Sequence, residues 1–313
     1  MTSGSDDGRR EDFTSSLNIR LLLPAALAAV LLAAAVAGAM PRGDDGPVVF
    51  ASDRTGTYQL YTVSASGGSA TRVAKTRAAA SNPSWSPDGK RLAYVLGGKH
   101  ADIWVMQADG SGRRDLTPKT PSRELFPAWS PDGTKIAFES TRTGLGDIYV
   151  MNADGSNVRR LTSSLALDVY PSWSPDGKHI AFMSNRSANL DIYIMNPAGH
   201  RVRRLTIGRS FDLYPAWSPD GKQIAYASSR DISGGRISEI YVMSADGSSQ
   251  RRLTRNLVDD WLPSWSPDGR TIVFVRDVAE RNNEIFRMNA DGRDQTRLTR
   301  SKGNDIFPAW RPG

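Results

Sequence analysis

The sequence predicts an all-β protein: a closed ring of six blades, each a four-stranded antiparallel sheet. One phrase, Pro-Ser/Ala-Trp-Ser-Pro-Asp-Gly, begins at residues 83, 127, 171, 215 and 263, and a shortened sixth copy, PAWRPG, occupies 308–313. The copies recur at intervals of about 44 residues, a period typical of propeller blades. Each interval also divides into four short strand-like pieces. Together these observations predict a six-bladed β-propeller.

The four pieces follow one another in the same order in every unit. In the unit that begins at 127, the Trp-containing phrase is followed by KIAF (135–138), DIYVM (147–151), the turn NADG (152–155) and RRLT (159–162). The second and third pieces are rich in Ile, Val, Tyr and Phe, which favours strands buried on both faces. Asp-Gly predicts a hairpin turn, and the alternation of Arg with Leu indicates an outer strand with one wet face.

The repeat resembles that of the TolB family of propellers, the periplasmic component of the Tol envelope system. The resemblance covers about residues 47–313 and is carried by the copies of W-S-P-D-G. By analogy with the related WD-repeat propellers, it implies that the Trp-containing strand is the innermost one, strand a. Pro87, Asp88 and Gly89 then form the tight turn from strand a to strand b. TolB proteins carry an α/β domain before the propeller, and this sequence shows no counterpart between residues 40 and 47.

The two ends of the propeller segment are expected to share one blade. Residues 47–74 contain the second, third and fourth pieces of a unit without the Trp-containing piece, and PAWRPG at 308–313 supplies that piece alone. The last strand should therefore complete the first blade and close the ring. Closure also removes an exposed sheet edge, which would favour aggregation.

The N-terminal region predicts a location outside the cytoplasm. Residues 1–20 form a polar tail, interpreted as cytoplasmic, and 21–40 (LLLPAALAAVLLAAAVAGAM) carry no charge and are long enough to span a bilayer. This segment is either a cleaved signal peptide or an uncleaved membrane anchor. A short linker, 41–46, leads into the propeller, 47–313.

Composition argues against several classes of function. The chain has no cysteine, so it has no disulfide framework and no thiol nucleophile. The net charge is +7, but the basic residues are spread through every repeat, so nucleic-acid binding is not predicted. No G-x-S-x-G motif occurs, and His100, His179 and His200 fall in different loop types. We predict no metal and no cofactor; Ca²⁺ held by several acids would need a loop signature that the sequence lacks.

Loop lengths predict which face of the ring binds partners. The a–b and c–d turns are uniform, whereas the b–c and d–a loops on the opposite face vary, with an insertion at 228–239. An acid stands three residues before the repeat proline, and an arginine follows strand b. The favoured interpretation is that these groups pair across blades as part of the scaffold. The alternative is that they form a charged collar that binds a cation, a peptide terminus or a partner. The candidate binding residues are Glu124, Asp168, Asp212, Arg230, Asp231, Arg236, Asp260, Trp261 and Asp305.

The predicted function is a non-catalytic binding scaffold in the bacterial envelope, the role that the TolB resemblance implies. The expected partner is an envelope protein or peptide, with a glycan as another option, and the chain is expected to be monomeric. The alternative is a carbohydrate-binding propeller, or a hydrolase or lyase, with its site at the mouth of the channel. Paired carboxylates near the axis would suit that chemistry, but neighbouring arginines would keep them ionised.

Overall fold

A computed structural model of the chain describes residues 46–97, 100–118, 121–230, 237–279 and 282–312. Within these ranges the chain forms six four-stranded antiparallel sheets, as predicted. The same ranges contain no helix that is long and apolar enough to cross a membrane. The predicted tail (1–20) and apolar segment (21–40), with all but the last residue of the linker, lie outside the described residues.

Each sheet is one blade, and its strands are named a to d from the axis outward. Strands a of successive blades contact one another all the way around the ring. In the order a to d, the first three blades are as follows. Blade 1 is β24 (Asp305–Trp310), β1 (Val48–Ser52), β2 (Gln59–Val63) and β3 (Thr71–Arg72). Blade 2 is β4 (Ala80–Trp85), β5 (Arg91–Gly97), β6 (Ala101–Gln107) and β7 (Arg114–Asp115). Blade 3 is β8 (Glu124–Trp129), β9 (Lys135–Ser140), β10 (Asp147–Asn152) and β11 (Arg159–Arg160).

The remaining three blades repeat this arrangement. Blade 4 is β12 (Asp168–Trp173), β13 (Ile180–Ser184), β14 (Asp191–Met195) and β15 (Arg203–Arg204). Blade 5 is β16 (Asp212–Trp217), β17 (Gln223–Ser228), β18 (Glu239–Ser244) and β19 (Arg251–Arg252). Blade 6 is β20 (Asp260–Trp265), β21 (Thr271–Ala279), β22 (Asn282–Asn289) and β23 (Thr296–Arg297).

The repeated tryptophans pack between neighbouring blades. All six indoles are at most 6% exposed. Trp129 of blade 3 lies in one apolar cluster with Ile103 and Leu116 of blade 2. Trp265 donates its indole N–H to the Ala216 carbonyl of the preceding blade at 3.1 Å. The tryptophans therefore serve as packing anchors, because they fill the interface with the preceding blade.

The C-terminal strand closes the ring as expected. β24 pairs antiparallel with β1, with Trp310 opposite Val48, and the Arg311 N–H donates to the Pro47 carbonyl at 3.0 Å. Gly46 lies against the Arg311 backbone at the a–b end of blade 1. The propeller is thus joined to the preceding sequence at the face that carries the a–b and c–d turns.

A bulge accommodates the proline of every strand a. The pairing register between strands a and b shifts around this proline in all six blades. Strand a is the inner edge of its sheet, so the missing N–H of proline interrupts no ladder on that side. The residue before each proline has a positive φ, between 53° and 65°. These six residues are Asn82, Phe126, Tyr170, Tyr214, Leu262 and Phe307.

These left-handed residues form a buried layer around the axis. Each is at most 8% exposed. The Phe126 and Tyr170 rings stack with centroids 4.2 Å apart, and Tyr170 meets Tyr214 edge-on at 4.9 Å. A bulky residue in the left-handed region costs about 1 kcal/mol or more, so the packing of this layer must offset that strain in the five blades that have an aromatic residue or leucine there.

Candidate interaction face

The predicted acids and arginines pair within a blade, not across blades. Asp168 at the start of strand a accepts two hydrogen bonds from Arg186 Nη2, both at 2.9 Å, and Arg186 Nε donates to Ser184 Oγ at 3.0 Å. The arginine that follows strand b folds back over strand a of the same blade. The expectation of pairing across blades was therefore wrong. The same pairing joins Asp305 to Arg54, Glu124 to Arg142, Asp212 to Arg230 and Asp260 to Arg276.

Each of these arginines also lies over aromatic rings of its own blade. The Arg186 guanidinium is 5.0 Å from the Tyr193 ring centroid, and in all five blades the distance to the strand-c ring is between 4.6 and 5.1 Å. The carboxyl side chains beneath are at most 1% exposed. The face therefore has a floor of buried, arginine-paired carboxyl groups instead of an exposed ring of acids. Burial raises the pKa of Asp212, Asp260 and Asp305 although the arginines lower it, so the expectation that the arginines would dominate their ionisation was wrong.

Blade 2 lacks this unit entirely. Ala80 takes the place of the acid, Leu96 that of the serine, and the arginine position falls on Gly98 in the sequence. All three members are replaced together. Joint loss is expected of groups that stabilise one another, because a buried acid or arginine left alone is costly.

A second buried ion pair, which the sequence analysis missed, joins strands c and d. The first residue of strand c, Asp191, accepts a hydrogen bond at 2.7 Å from Arg204, the second arginine of the RRLT segment. Equivalent pairs join Asp147 to Arg160, Glu239 to Arg252 and Glu284 to Arg297. The acid and the arginine are thirteen residues apart in all four blades, a regularity that the sequence contained.

Glu139 in blade 3 is a buried acid at an otherwise apolar position. It is 6% exposed, and its Oε2 atom has no hydrogen-bond partner in the structure. Burial raises its pKa to about 8, although Arg123 opposes the shift. Gly146 makes room for it, since a Cβ there would lie 2.9 Å from Glu139 Oε1.

Trp261 and Asp277 lie together at the b–c/d–a end of blade 6. Trp261 is partly exposed at a position where strand a of most blades has a buried aliphatic residue, and its ring lies 5.9 Å from that of Tyr214. Burial, followed by the neighbouring Asp259, raises the pKa of Asp277 to about 6, while a hydrogen bond from Trp261 lowers it. Of the other predicted residues, Arg230 is paired with Asp212, whereas Asp231 and Arg236 lie outside the described residues.

The three histidines lie in different connections: His100 in a b–c loop of blade 2, and His179 and His200 at the a–b and c–d turns of blade 4, on the opposite face. His100 contacts the Pro121 carbonyl, His179 lies beside Trp217, and His200 is in a c–d turn. No group of three or more His, Asp or Glu side chains in the described ranges could hold a metal ion.

The fold and the repeated phrase define a six-bladed propeller built from W-S-P-D-G units. The family described as the TolB beta propeller domain matches residues 73–313, and the chain belongs to this family.

Solved structures agree with this assignment. The crystal structure of TolB from Acinetobacter baumannii is 27% identical with a TM-score of 0.76, over 87% of this chain and 68% of that one. The structure assigned as TolB from Agrobacterium tumefaciens is also 27% identical, with a TM-score of 0.65, over 86% of this chain and 92% of that one. An oligogalacturonate lyase in complex with manganese is 16% identical with a TM-score of 0.58, over 80% and 73% of the two chains, so it shares the fold alone. No curated protein matches the chain in sequence.

Proposed function

We propose that this TolB-like propeller is a non-catalytic scaffold that binds an envelope protein or peptide on its b–c/d–a face, outside the cytoplasm. Family membership and the two TolB structures support the comparison with an envelope-associated, protein-binding propeller. Residues 21–40 would export the chain, as a cleaved signal or as a lasting anchor.

The observation that carries the proposal is the pairing of the carboxylates beneath this face. Asp168, Asp212 and Asp305 each bind an arginine of the same blade and are at most 1% exposed. Burial raises the pKa of Asp212 and of Asp305 although the paired arginines oppose the shift. Because these carboxyl groups are covered by their arginines, they do not face a bound substrate or metal ion, and they fix the base of the loops above them. The variable loops on that rigid base are then the elements free to recognise a partner.

The position at which the chain enters the propeller also supports the choice of the b–c/d–a face. Gly46 lies at the a–b end, beside Arg311. A segment anchored through residues 21–40 would hold that end toward the membrane, so the b–c/d–a face would point away from it and stay accessible.

Site-specific photo-crosslinking in cells tests the proposal. A photoreactive amino acid replaces Trp261 on the b–c/d–a face or, as a control, Lys178 on the opposite face. We expect a discrete crosslinked protein from position 261 and none from position 178. Absence of a crosslink from position 261 would contradict the binding role. Failure of protease added to spheroplasts to digest the propeller would contradict the location outside the cytoplasm.

A further inference from the structure

Three consecutive d–a loops carry strongly exposed aliphatic side chains. Leu165, Ile207 and Leu257 are 99%, 79% and 87% exposed, and they occupy the loops between blades 3 and 4, 4 and 5, and 5 and 6. Leu145 in the b–c loop of blade 3 adds a fourth, 57% exposed. We call these four residues the apolar arc. Single exposed leucines are common, but an aliphatic tip in three neighbouring loops of one face is a feature of binding surfaces.

The exposed charges of the same face have one sign. In the described parts of the b–c and d–a loops, every exposed charged residue is basic, and the acids are buried or partly buried. The loops on the other side of the ring from the apolar arc, between blades 6 and 1 and between 1 and 2, have basic tips instead of aliphatic ones. The exposed basic residues without an ion pair among the described residues, called the basic tips below, are Lys75, Arg77, Arg209, Arg255, Arg300 and Lys302.

The opposite face lacks this asymmetry. Its a–b turns expose both signs side by side, with Lys178 3.8 Å from Asp176 and Lys222 3.8 Å from Asp220. Its large exposed aliphatic residues in the described ranges are Val158 and Val202, at 40% and 39%. Positive charge next to exposed leucines is thus particular to the b–c/d–a face.

We infer that the apolar arc and the basic tips together bind an acidic protein segment whose apolar side chains cover Leu165, Ile207 and Leu257. The inference rests on the proposed binding function and specifies the chemistry of the partner. Burial of the aliphatic tips would supply affinity, and the positive field would attract acidic residues and fix their orientation.

A lipid surface offers similar chemistry, but the geometry favours a protein. With residues 21–40 as an anchor, the linker 41–46 spans at most about 20 Å. The strands alone separate the two faces by about 20 Å, because six residues rise about 3.3 Å each. The apolar arc would therefore be held away from the membrane to which the chain is anchored.

The test uses the full chain in phosphatidylcholine nanodiscs and a random-peptide phage library as the probe. Selected peptides are then measured against four variants. Leu165→Ser/Ile207→Ser/Leu257→Ser, the arc variant, removes the three d–a members of the apolar arc, and Lys75→Glu/Arg300→Glu reverses the charge of two basic tips. Val158→Ser/Val202→Ser and Lys178→Glu/Lys222→Glu make the matched changes on the opposite face. All changed residues are exposed, so all four variants should melt at the wild-type temperature.

We expect the selected peptides to combine Asp or Glu with large apolar residues. Their affinity should fall at least tenfold in the arc and basic-tip variants and less than twofold in the controls. Peptides that bind equally well to the arc variant would overturn the inference while leaving a binding scaffold in place. If no peptide is enriched, and the full chain floats with phosphatidylglycerol vesicles while the arc variant does not, the inference is overturned in favour of a lipid surface. No enriched peptide and no crosslink from position 261 would remove the proposed function itself.

Discussion

Replacing Glu139 with methionine should stabilise the propeller, and the gain should increase with pH. Glu139 lies in β9 between Leu125 and Ile148, 6% exposed, where the other blades have apolar residues. Methionine fits because blade 4 has Met183 at the equivalent position. The full set of equivalents is Ala51, Val95, Met183, Ala227 and Val275.

The pH dependence follows from the raised pKa. Burial moves the pKa of Glu139 from 4.5 to about 8. The folded state therefore holds the proton more tightly than the unfolded state. The stability contributed by this proton is complete below pH 4.5 and is lost as the pH rises through about 8. At about 1.4 kcal/mol per pKa unit, the loss over this window is about 5 kcal/mol.

Urea unfolding of wild type and Glu139→Met between about pH 5 and pH 8 measures this effect. The difference in unfolding free energy should widen by about 1.4 kcal/mol per pH unit across the window. Glu139→Gln is the matched control, because it removes the titration but keeps a buried polar group. It should share the pH slope of the methionine variant with a smaller gain at every pH. A difference between wild type and Glu139→Met that stays constant with pH would refute the reasoning.

Three other predictions concern the ion pairs, ring closure and Asp277. Asp212→Ala should lower the unfolding free energy, measured by urea unfolding, by about 2 to 4 kcal/mol, because it leaves the partly buried Arg230 without its counter-ion. The triple variant Asp212→Ala/Ser228→Leu/Arg230→Gly reproduces the blade 2 set and should recover much of that loss; no recovery would mean that the unit is not cooperative. Deleting 308–313 removes half of strand a of blade 1 and should lower the melting temperature sharply, whereas an unchanged melting temperature would contradict closure by β24. Asp277→Asn should reduce the fall in stability as pH rises through about 6, the folded-state pKa of that group; an unaltered pH profile would be the contrary result.

The repeat made the architecture predictable. The copies of W-S-P-D-G set the number of blades, and the unmatched PAWRPG indicated closure, because β24 must pair with β1 for every sheet to have four strands. The position of an acid before the repeat proline and an arginine after strand b also predicted ion pairing. Which blade supplied each partner did not follow from spacing, since it depends on how the strand-b arginine folds back over its own sheet.

Other features could not be predicted from local pattern. A residue before proline is normally extended, so Tyr170 gives no sign in the sequence of its left-handed backbone. Glu139 in KIAFES looks like the polar residue of a half-exposed strand, but β9 packs against strand a of blade 4 and every residue of β9 after Lys135 is buried. Leu165 and Leu257 look like ordinary apolar loop residues, and their exposure depends on how the d–a loops leave the ring.

Hydrogen exchange of the full chain, alone and bound to a selected acidic peptide, tests the central claim that the b–c/d–a face is the interaction surface. The account predicts slower amide exchange in the d–a loops at 163–167, 205–211 and 253–259, with no change in the a–b turns at 174–178 and 218–222. Protection confined to the a–b and c–d turns would contradict it.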